Sequence, residues 1–550
     1  MIKSTTEISR THTRTMLFIN GNIITMDDTR PVAGAMAVKG DVIEAVGDAA
    51  ALKAAYPAAA VTDLDGRTVM PGIIESHGHL LSLGQSLLEL NLKDAHSPAA
   101  VLDQVRRRVS ETAPGDWIIG WGWDDGAWAA DYPDNTELNQ TTPDHPVCLR
   151  GLHGFAGWYN DRALAIAGID ASTPDPSGGE ILKHAANGQP TGILLNEAQS
   201  LVSKHIPSMT RAKYEEALKR AIDECLAHGL TSLHEARTTS LMLDALRSLA
   251  DKGQLKSRVY AMVDLPDKEL AEYFFENGPE IRDDRMLTVR CIKVFVDGAL
   301  GSRGALMMAP YIDAPRETGV MTTSEETLYE ATVRSLKAGL QVAVHAIGDR
   351  ANRLTLSAFR RALRAVPDAG DHRLRVEHAQ VMVPEDIPAF AELDLVVSMS
   401  PPHATSDMPW VETRIGPQRA KGAYAWRSFL DSGVHLTFNS DYPGEELNPF
   451  FGMYCAETRQ TADGLPAGGW YPEQCLTREE SLKAYTVEAA YAGFEESIKG
   501  QIAPGMLADF IVISDDVRKV TTQKLLSIKV LQTYAGGRLV YESKQMSNVD

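Results

Sequence analysis

The stretch Val69-Met-Pro-Gly-Ile-Ile-Glu-Ser-His-Gly-His79 is an apolar run that stops abruptly on two histidines. In an extended strand, side chains two positions apart share a face, so His77 and His79 can reach one point in space. A metal pocket at a strand end is the first expectation. A lone His-x-His is weak evidence in a chain with 15 histidines, so its meaning depends on what recurs downstream.

Upstream of this stretch, from Met16 to Val69, short β-runs alternate with hairpin signals at Asn20-Gly21 and Lys39-Gly40-Asp41. The C-terminal runs Ala508 to Ser514 and Val530 to Tyr541, the latter turning at Gly536-Gly537, read the same way. Neither end holds enough strands for a stable sheet alone. The two are therefore expected to pair into one β-domain, with the middle of the chain inserted between them.

That middle alternates apolar runs with longer amphipathic segments, the pattern of parallel strands covered by helices. The strands are expected to end near His77, Glu235, Asp264, Asp297, His345, His378, Ser400 and Asp441. Such a count suggests an α/β fold of the (β/α)8 TIM-barrel type rather than an open doubly wound sheet. The expected boundaries are residues 1–70 for the N-terminal part of a β-sandwich, 71–495 for the barrel and 496–550 for the C-terminal part of the sandwich. Between His79 and Arg211 the βα alternation lapses, and roughly residues 93–205, rich in Trp, Asp, Pro and Gly, read as an inserted subdomain over the barrel mouth. Pro401 to Arg427 reads as a second insertion.

The 550 residues allow several cores, and the hydrophobic fraction of 44% and charged fraction of 23% are ordinary for a globular protein. The formal net charge of −19 opposes binding to nucleic acid or anionic membranes. Met1 to Met16 lack the apolar core of a signal peptide and no run is long enough to span a membrane, so a cytoplasmic location is expected. The five cysteines are widely spaced with no Cys-x-x-Cys, which points any metal toward nitrogen and oxygen ligands.

Placed on the expected strand ends, polar residues converge at the C-terminal face where barrel chemistry sits. They are His77, His79, Lys293, His345, His378 and Asp441. Each has an ordinary explanation: a hydrogen-bonded histidine, a paired lysine, an aspartate capping a turn. Their joint order on successive strand ends favours a ligand set suited to zinc or a related divalent ion. Lys293, within Cys291-Ile-Lys-Val-Phe-Val-Asp297, would be costly in an apolar run unless paired or modified; as a carbamate it can bridge two ions.

The ordered set Pro71 to His79, Lys293-Val-Phe-Val-Asp-Gly-Ala-Leu-Gly-Ser-Arg303, His345-Ala-Ile-Gly-Asp349, Glu377-His378 and Asn439-Ser-Asp441 resembles the amidohydrolase superfamily. Within it the chain is similar to the branch that includes N-substituted formamide deformylases, and Gly500 to Asp509 resembles the segment by which these enzymes re-enter their β-domain. The resemblance implies a composite β-sandwich, a metal-bearing barrel and hydrolysis of amide-like C–N bonds. It implies that His77, His79 and Asp441 bind one ion and that His345 and His378 bind a second. It further implies two zinc ions bridged by carboxylated Lys293, and a homodimer. Two ions would acidify a shared water, and Asp441 would act as general base and then acid. One stretch departs from the branch: an Asp-Gly-His-type motif is replaced by His153-Gly-Phe155, followed by Asn160-Asp161.

Two other readings compete. A mononuclear deaminase also uses His-x-His, two histidines and an aspartate, but the glutamate such enzymes carry three residues after the strand-five histidine is Gly348 here, and Lys293 would have no duty. A non-catalytic scaffold of the same fold would be expected to have lost ligands. Five of the eight tryptophans, Trp117, Trp121, Trp123, Trp128 and Trp158, fall in the insert, with Trp410 and Trp426 in the second insertion. They form either the insert's own core or an aromatic lid favouring a small-molecule substrate with an aromatic or alkyl group. Trp123, His153, Phe155 and Arg303 are the candidate substrate contacts, Arg303 being equally readable as half of a structural ion pair.

Overall fold

The computed structural model describes residues 15–124, 132–151 and 155–544. These fall into two compact units, one divided between the residues up to 80 and those from 222 onward, the other lying between 81 and 221. No helix among the described residues is long and apolar enough to cross a membrane.

The first unit contains the barrel. Its strands, numbered here along the barrel, are β1 (Ile73–Gly78), β2 (Leu230–Thr238), β3 (Arg258–Asp264), β4 (Leu287–Phe295), β5 (Gln341–Ala346), β6 (Arg375–His378), β7 (Val396–Met399) and β8 (His435–Phe438). Each pairs in parallel with the next from β1 to β8. All-parallel strands are covered on both faces, which is why each reads as a continuous apolar run with rare polar residues. The expected eightfold barrel is therefore present, and it is nearly closed. Side chains and loops complete the seam between β8 and β1: the Ser76 hydroxyl donates to the Phe438 carbonyl at 2.7 Å.

The termini of the chain meet in the same unit, as the β-patterns at both ends led us to expect. Strand Thr68–Pro71 pairs antiparallel with Phe510–Ile513, joining residues more than four hundred positions apart into one sheet. A second sheet is built from Thr15–Ile19, Ala35–Lys39, Val42–Gly47 and Ala60–Asp63. Phe18 from one sheet meets Phe510 and Tyr534 from the other, with ring centroids 5.0 and 5.3 Å away. The re-entry segment ends on Asp509, whose buried carboxylate pairs with Arg258 at the start of β3 at 2.6 Å and also accepts the Gly536 N–H at 2.7 Å. Removing one member of such a buried pair typically costs about 3–5 kcal/mol, so this aspartate ties the β-domain to the barrel.

The second unit has its own sheet, in the order Gly179–Lys183, Pro190–Asn196, Ala156–Tyr159, Val147–Gly151, Ile118–Trp123 and Leu90–Asn91. Helix Pro98–Val109 packs Val101, Leu102 and Val105 into a core with Ile118, Trp123, Leu149, Trp158 and Ile193.

Candidate metal centre

The seam between β1 and the loop after β8 positions the chemistry. Glu75 accepts hydrogen bonds from the Ser440 N–H at 2.6 Å and the Ser440 hydroxyl at 3.2 Å. Burial pushes the Glu75 carboxyl up to about 8, against those hydrogen bonds. The Asp441 N–H donates to the His77 carbonyl at 3.2 Å and the His79 N–H donates to the Tyr442 carbonyl at 2.9 Å. The first strand end and the eighth are thereby laced together residue by residue. Asp441, His378 and Ala379 all have left-handed backbones, with φ of 54°, 72° and 41°. Such conformations cost about 1–3 kcal/mol each in non-glycine residues and concentrate at functional sites.

Around that seam the side chains converge. His77 Nε2 and His79 Nε2 lie 3.6 and 3.3 Å from Asp441 Oδ1. Two ligands at about 2.1 Å on a tetrahedral zinc stand roughly 3.4 Å apart, so these separations suit a shared ion. The His378 ring stands 5.0 Å from His77 and 4.5 Å from His345, centroid to centroid. Lys293 is wholly buried, and its Nζ has no hydrogen-bond partner among the described residues. His345 Nε2 and His378 Nδ1 are likewise buried without partners. Orphaned nitrogens of this kind are expensive unless something absent from the polypeptide satisfies them, and the donor set fits a divalent metal.

The electrostatics agree with that fit. Burial, helped by Lys293, lowers His77 to about 4 and His345 to about 3. Burial also takes His378 well below the usual histidine range. These imidazoles are neutral at neutral pH, the form that donates a lone pair. Burial lowers the Lys293 amine to about 8, opposed by Glu377 and Asp441. Burial alone would raise Asp441, yet the facing histidines outweigh it and hold the carboxyl well below the usual range.

Behind these side chains stand buried partners. His77 Nδ1 is 2.6 Å from Glu377 Oε2, and Glu377 is held in turn by Arg375, which also reaches His234 Nδ1 and the Ser76 carbonyl. Asp297 accepts N–H bonds from Leu306, Ile347 and Gly348 and lies 3.7 Å from His345 Nε2. Glu235, within β2, accepts the Leu80 N–H at 2.6 Å, directly after His79.

One member of the centre escaped the sequence reading. His403 lies in helix Pro401–Ala420, and its Nε2 is 3.7 Å from Asp441 Oδ2. The available signal was its place four residues past the end of β7, obscured by assigning Pro401 to Arg427 to an insertion.

The candidate substrate contacts scatter. Trp123 is wholly buried in the core of the second unit, where its indole N–H donates to the Leu149 carbonyl at 2.8 Å. Trp158 is buried in the same core, so these rings fulfil the structural option rather than the lid. Phe155 is 69% exposed. Arg303 is engaged by Asp313 in two hydrogen bonds of 3.1 and 2.8 Å, the ion-pair alternative. His153 and Trp128 lie outside the described residues.

Comparison with known proteins points the same way as the geometry. The family model described as Amidohydrolase family matches residues 60–541, and one described as an imidazolonepropionase-like composite domain of bacteria matches residues 34–59. A Bacillus subtilis (strain 168) protein provisionally named an amidohydrolase, YtcJ, is 33% identical over 531 residues, covering 95% of this chain and 98% of that protein. The N-substituted formamide deformylase of Arthrobacter pascens is 29% identical over 558 residues, covering 97% and 99%. The crystal structure of an uncharacterized metal-dependent hydrolase from Pyrococcus furiosus superposes with a TM-score of 0.76 at 28% identity, covering 92% of this chain and all 100% of that one.

Proposed function

The chain belongs to the amidohydrolase family as a metal-dependent hydrolase, and we propose that it cleaves a carbonyl C–N bond in a small amide or N-substituted formamide. The observation that carries this reading is the meeting of His77, His79 and Asp441 within 4.8 Å of one another, with a buried lysine amine that has no hydrogen-bond partner among the described residues.

In this reading His77, His79 and Asp441 would hold one zinc ion and His345 and His378 a second, with Lys293, as N-carboxylysine, serving both. When bound, the ions supply Lewis-acid polarisation of the carbonyl and an acidified water. Lys293 is suited to its modification because burial lowers its amine to about 8, leaving an appreciable neutral fraction near neutral pH. The free amine adds to carbon dioxide, forming an N–C bond and releasing one proton.

Asp441 moves the proton of the reaction. Its carboxyl, held well below the usual range, is ionised at neutral pH, the form a base requires. The conjugate acid is correspondingly strong, the form the leaving nitrogen requires. Asp441 therefore takes a proton from the attacking water and delivers it to the departing amine as the C–N bond breaks. The similarity to the Arthrobacter pascens formamide deformylase supports formate and an amine as products, and the net charge of −19 supports a small-molecule substrate over nucleic acid. We read the working protein as a cytoplasmic homodimer, a state that sedimentation of the purified chain tests directly.

The deciding experiment purifies the protein with zinc, counts metal per chain and follows formate and amine release from a panel of N-substituted formamides and amides. Two ions per chain and turnover that chelation abolishes and zinc restores are expected. A single ion per chain with ammonia released from amino-substituted heterocycles would favour the mononuclear deaminase instead.

A further inference from the structure

The two carboxylate oxygens of Asp441 face different histidines. Oδ1 lies toward His77 and His79, whereas Oδ2 lies toward His403, whose Nε2 is 3.7 Å away. His403 occupies the first turn of helix Pro401–Ala420, immediately after β7, and so sits at the same end of the barrel as His345 and His378. Its ring stacks on that of His378 at 5.9 Å with an interplanar angle of 27°. One ligand atom from each of His378, His403 and Asp441 falls within 4.8 Å of the others. The separation from Asp441 is too long for a hydrogen bond yet close to the roughly 3.4 Å expected of two ligands sharing a tetrahedral zinc.

Two further observations point to an ion at this place. His378 Nδ1 is buried with no hydrogen-bond partner among the described residues, so a second nitrogen of the group awaits a partner. The other carboxylates that face His403, Asp407 and Glu445, are already engaged. Asp407 accepts from Tyr424 and Gln380, and Glu445 accepts from Ser406. Among the described residues, Asp441 is the carboxylate that comes within 4 Å of a His403 ring nitrogen.

We propose that His403 is a further metal ligand, acting with His378 and Asp441 Oδ2 and contributed by the segment that follows β7. The proposal rests on the two-ion reading above and adds to it a nitrogen from the helix that follows β7, a segment that supplies none of the other ligands.

The test is titration of the metal-free full-length chain with Co(II), reading stoichiometry, affinity and the visible d–d spectrum for the natural sequence and for His403→Ala, His403→Gln and His345→Ala. Retained tight binding of the first ion reports that each variant is folded. Both His403 variants should bind the weaker ion at least about 100-fold less tightly, beyond the roughly 10- to 100-fold that loss of an outer partner costs, and should shift the d–d bands. A smaller loss with an unmoved spectrum would make His403 an outer partner and overturn ligation, as would no change at all. Failure of the two-ion reading looks different: the natural sequence itself would then take up a single Co(II) per chain, whatever the His403 variants do.

Discussion

His77 Nδ1 lies 2.6 Å from Glu377 Oε2, in a pair whose side chains are 1% and 0% exposed. In the proposed site the contact leaves Nε2 as the nitrogen for the metal, because Nδ1 is engaged on the carboxylate side and Nε2 faces Asp441. Glu377→Gln should therefore reduce zinc affinity by roughly 10- to 100-fold while the fold survives, since the amide keeps the shape of the carboxylate. Equilibrium titration against a zinc-binding dye measures it. An affinity equal to that of the natural sequence would mean that His77 is oriented by packing alone.

Asp441 separates binding from chemistry. Asp441→Asn keeps an oxygen for the metal but removes the site that takes up the proton, so the zinc-saturated variant should lose about 10²- to 10⁴-fold in kcat. Metal content and kcat are measured on the same sample at saturating zinc. Turnover within threefold or so of the natural enzyme would remove Asp441 from the proton-transfer role.

How much of this was legible follows from physical range. The strand-end residues His77, His345, His378 and Asp441 were readable because an apolar run that ends on a polar residue marks both a buried parallel strand and the face where it emerges. Lys293 was readable because an amine inside Cys291 to Asp297 demands a reason. His403 was not, because it begins a helix instead of ending a strand, and only the folded turn after β7 brings it to Asp441. Glu377 was visible as a neighbour of His378 but not as a partner of His77, a contact spanning 300 positions. The tryptophans were ambiguous in principle: a core and a binding lid both favour large aromatic rings, and composition does not distinguish them.

Trp123 turns that ambiguity into a measurement. Its ring packs in the core of its unit with Leu149, Trp158 and Ile193, so Trp123→Ala should act through stability. A buried tryptophan cut to alanine costs about 3–5 kcal/mol, read as a lowered melting temperature or denaturation midpoint. Below the transition, KM should match that of the natural sequence. An altered KM at full folding would show that the ring shapes the substrate site after all.

The His435 and Glu488 side chains form a pair at 2.7 Å, 40% and 30% exposed. The hydrogen bond from His435 to Glu488, reduced by partial burial, raises the histidine above its usual value of 6.5. A raised folded-state value contributes stability that is fully present below the unfolded value and is lost as pH rises through the folded one. Solvent screening limits the gain to under about 1 kcal/mol. Glu488→Gln should therefore be slightly less stable than the natural sequence near pH 5.5 and equal to it near pH 9, by urea denaturation. A gap of the same size at both pH values would exclude the protonated pair as its source.

Lys293 provides the sharpest test of the bridging reading. A buried primary amine with no hydrogen-bond partner among the described residues has two fates, a cation needing a counter-charge or a carbamate needing metal. Lys293→Ala removes either and opens a cavity where the side chain stood. If the lysine works as a carbamate, the variant should hold about one ion fewer per chain. Acetate or propionate, which can enter the cavity and present a carboxylate to the ions, should then restore part of both metal content and turnover. In the natural protein, ¹³C-labelled bicarbonate should produce a carbamate resonance that disappears on acidification and chelation. If Lys293 is only a buried cation, short carboxylic acids will restore nothing, no such resonance will form, and the variant will keep its full complement of zinc.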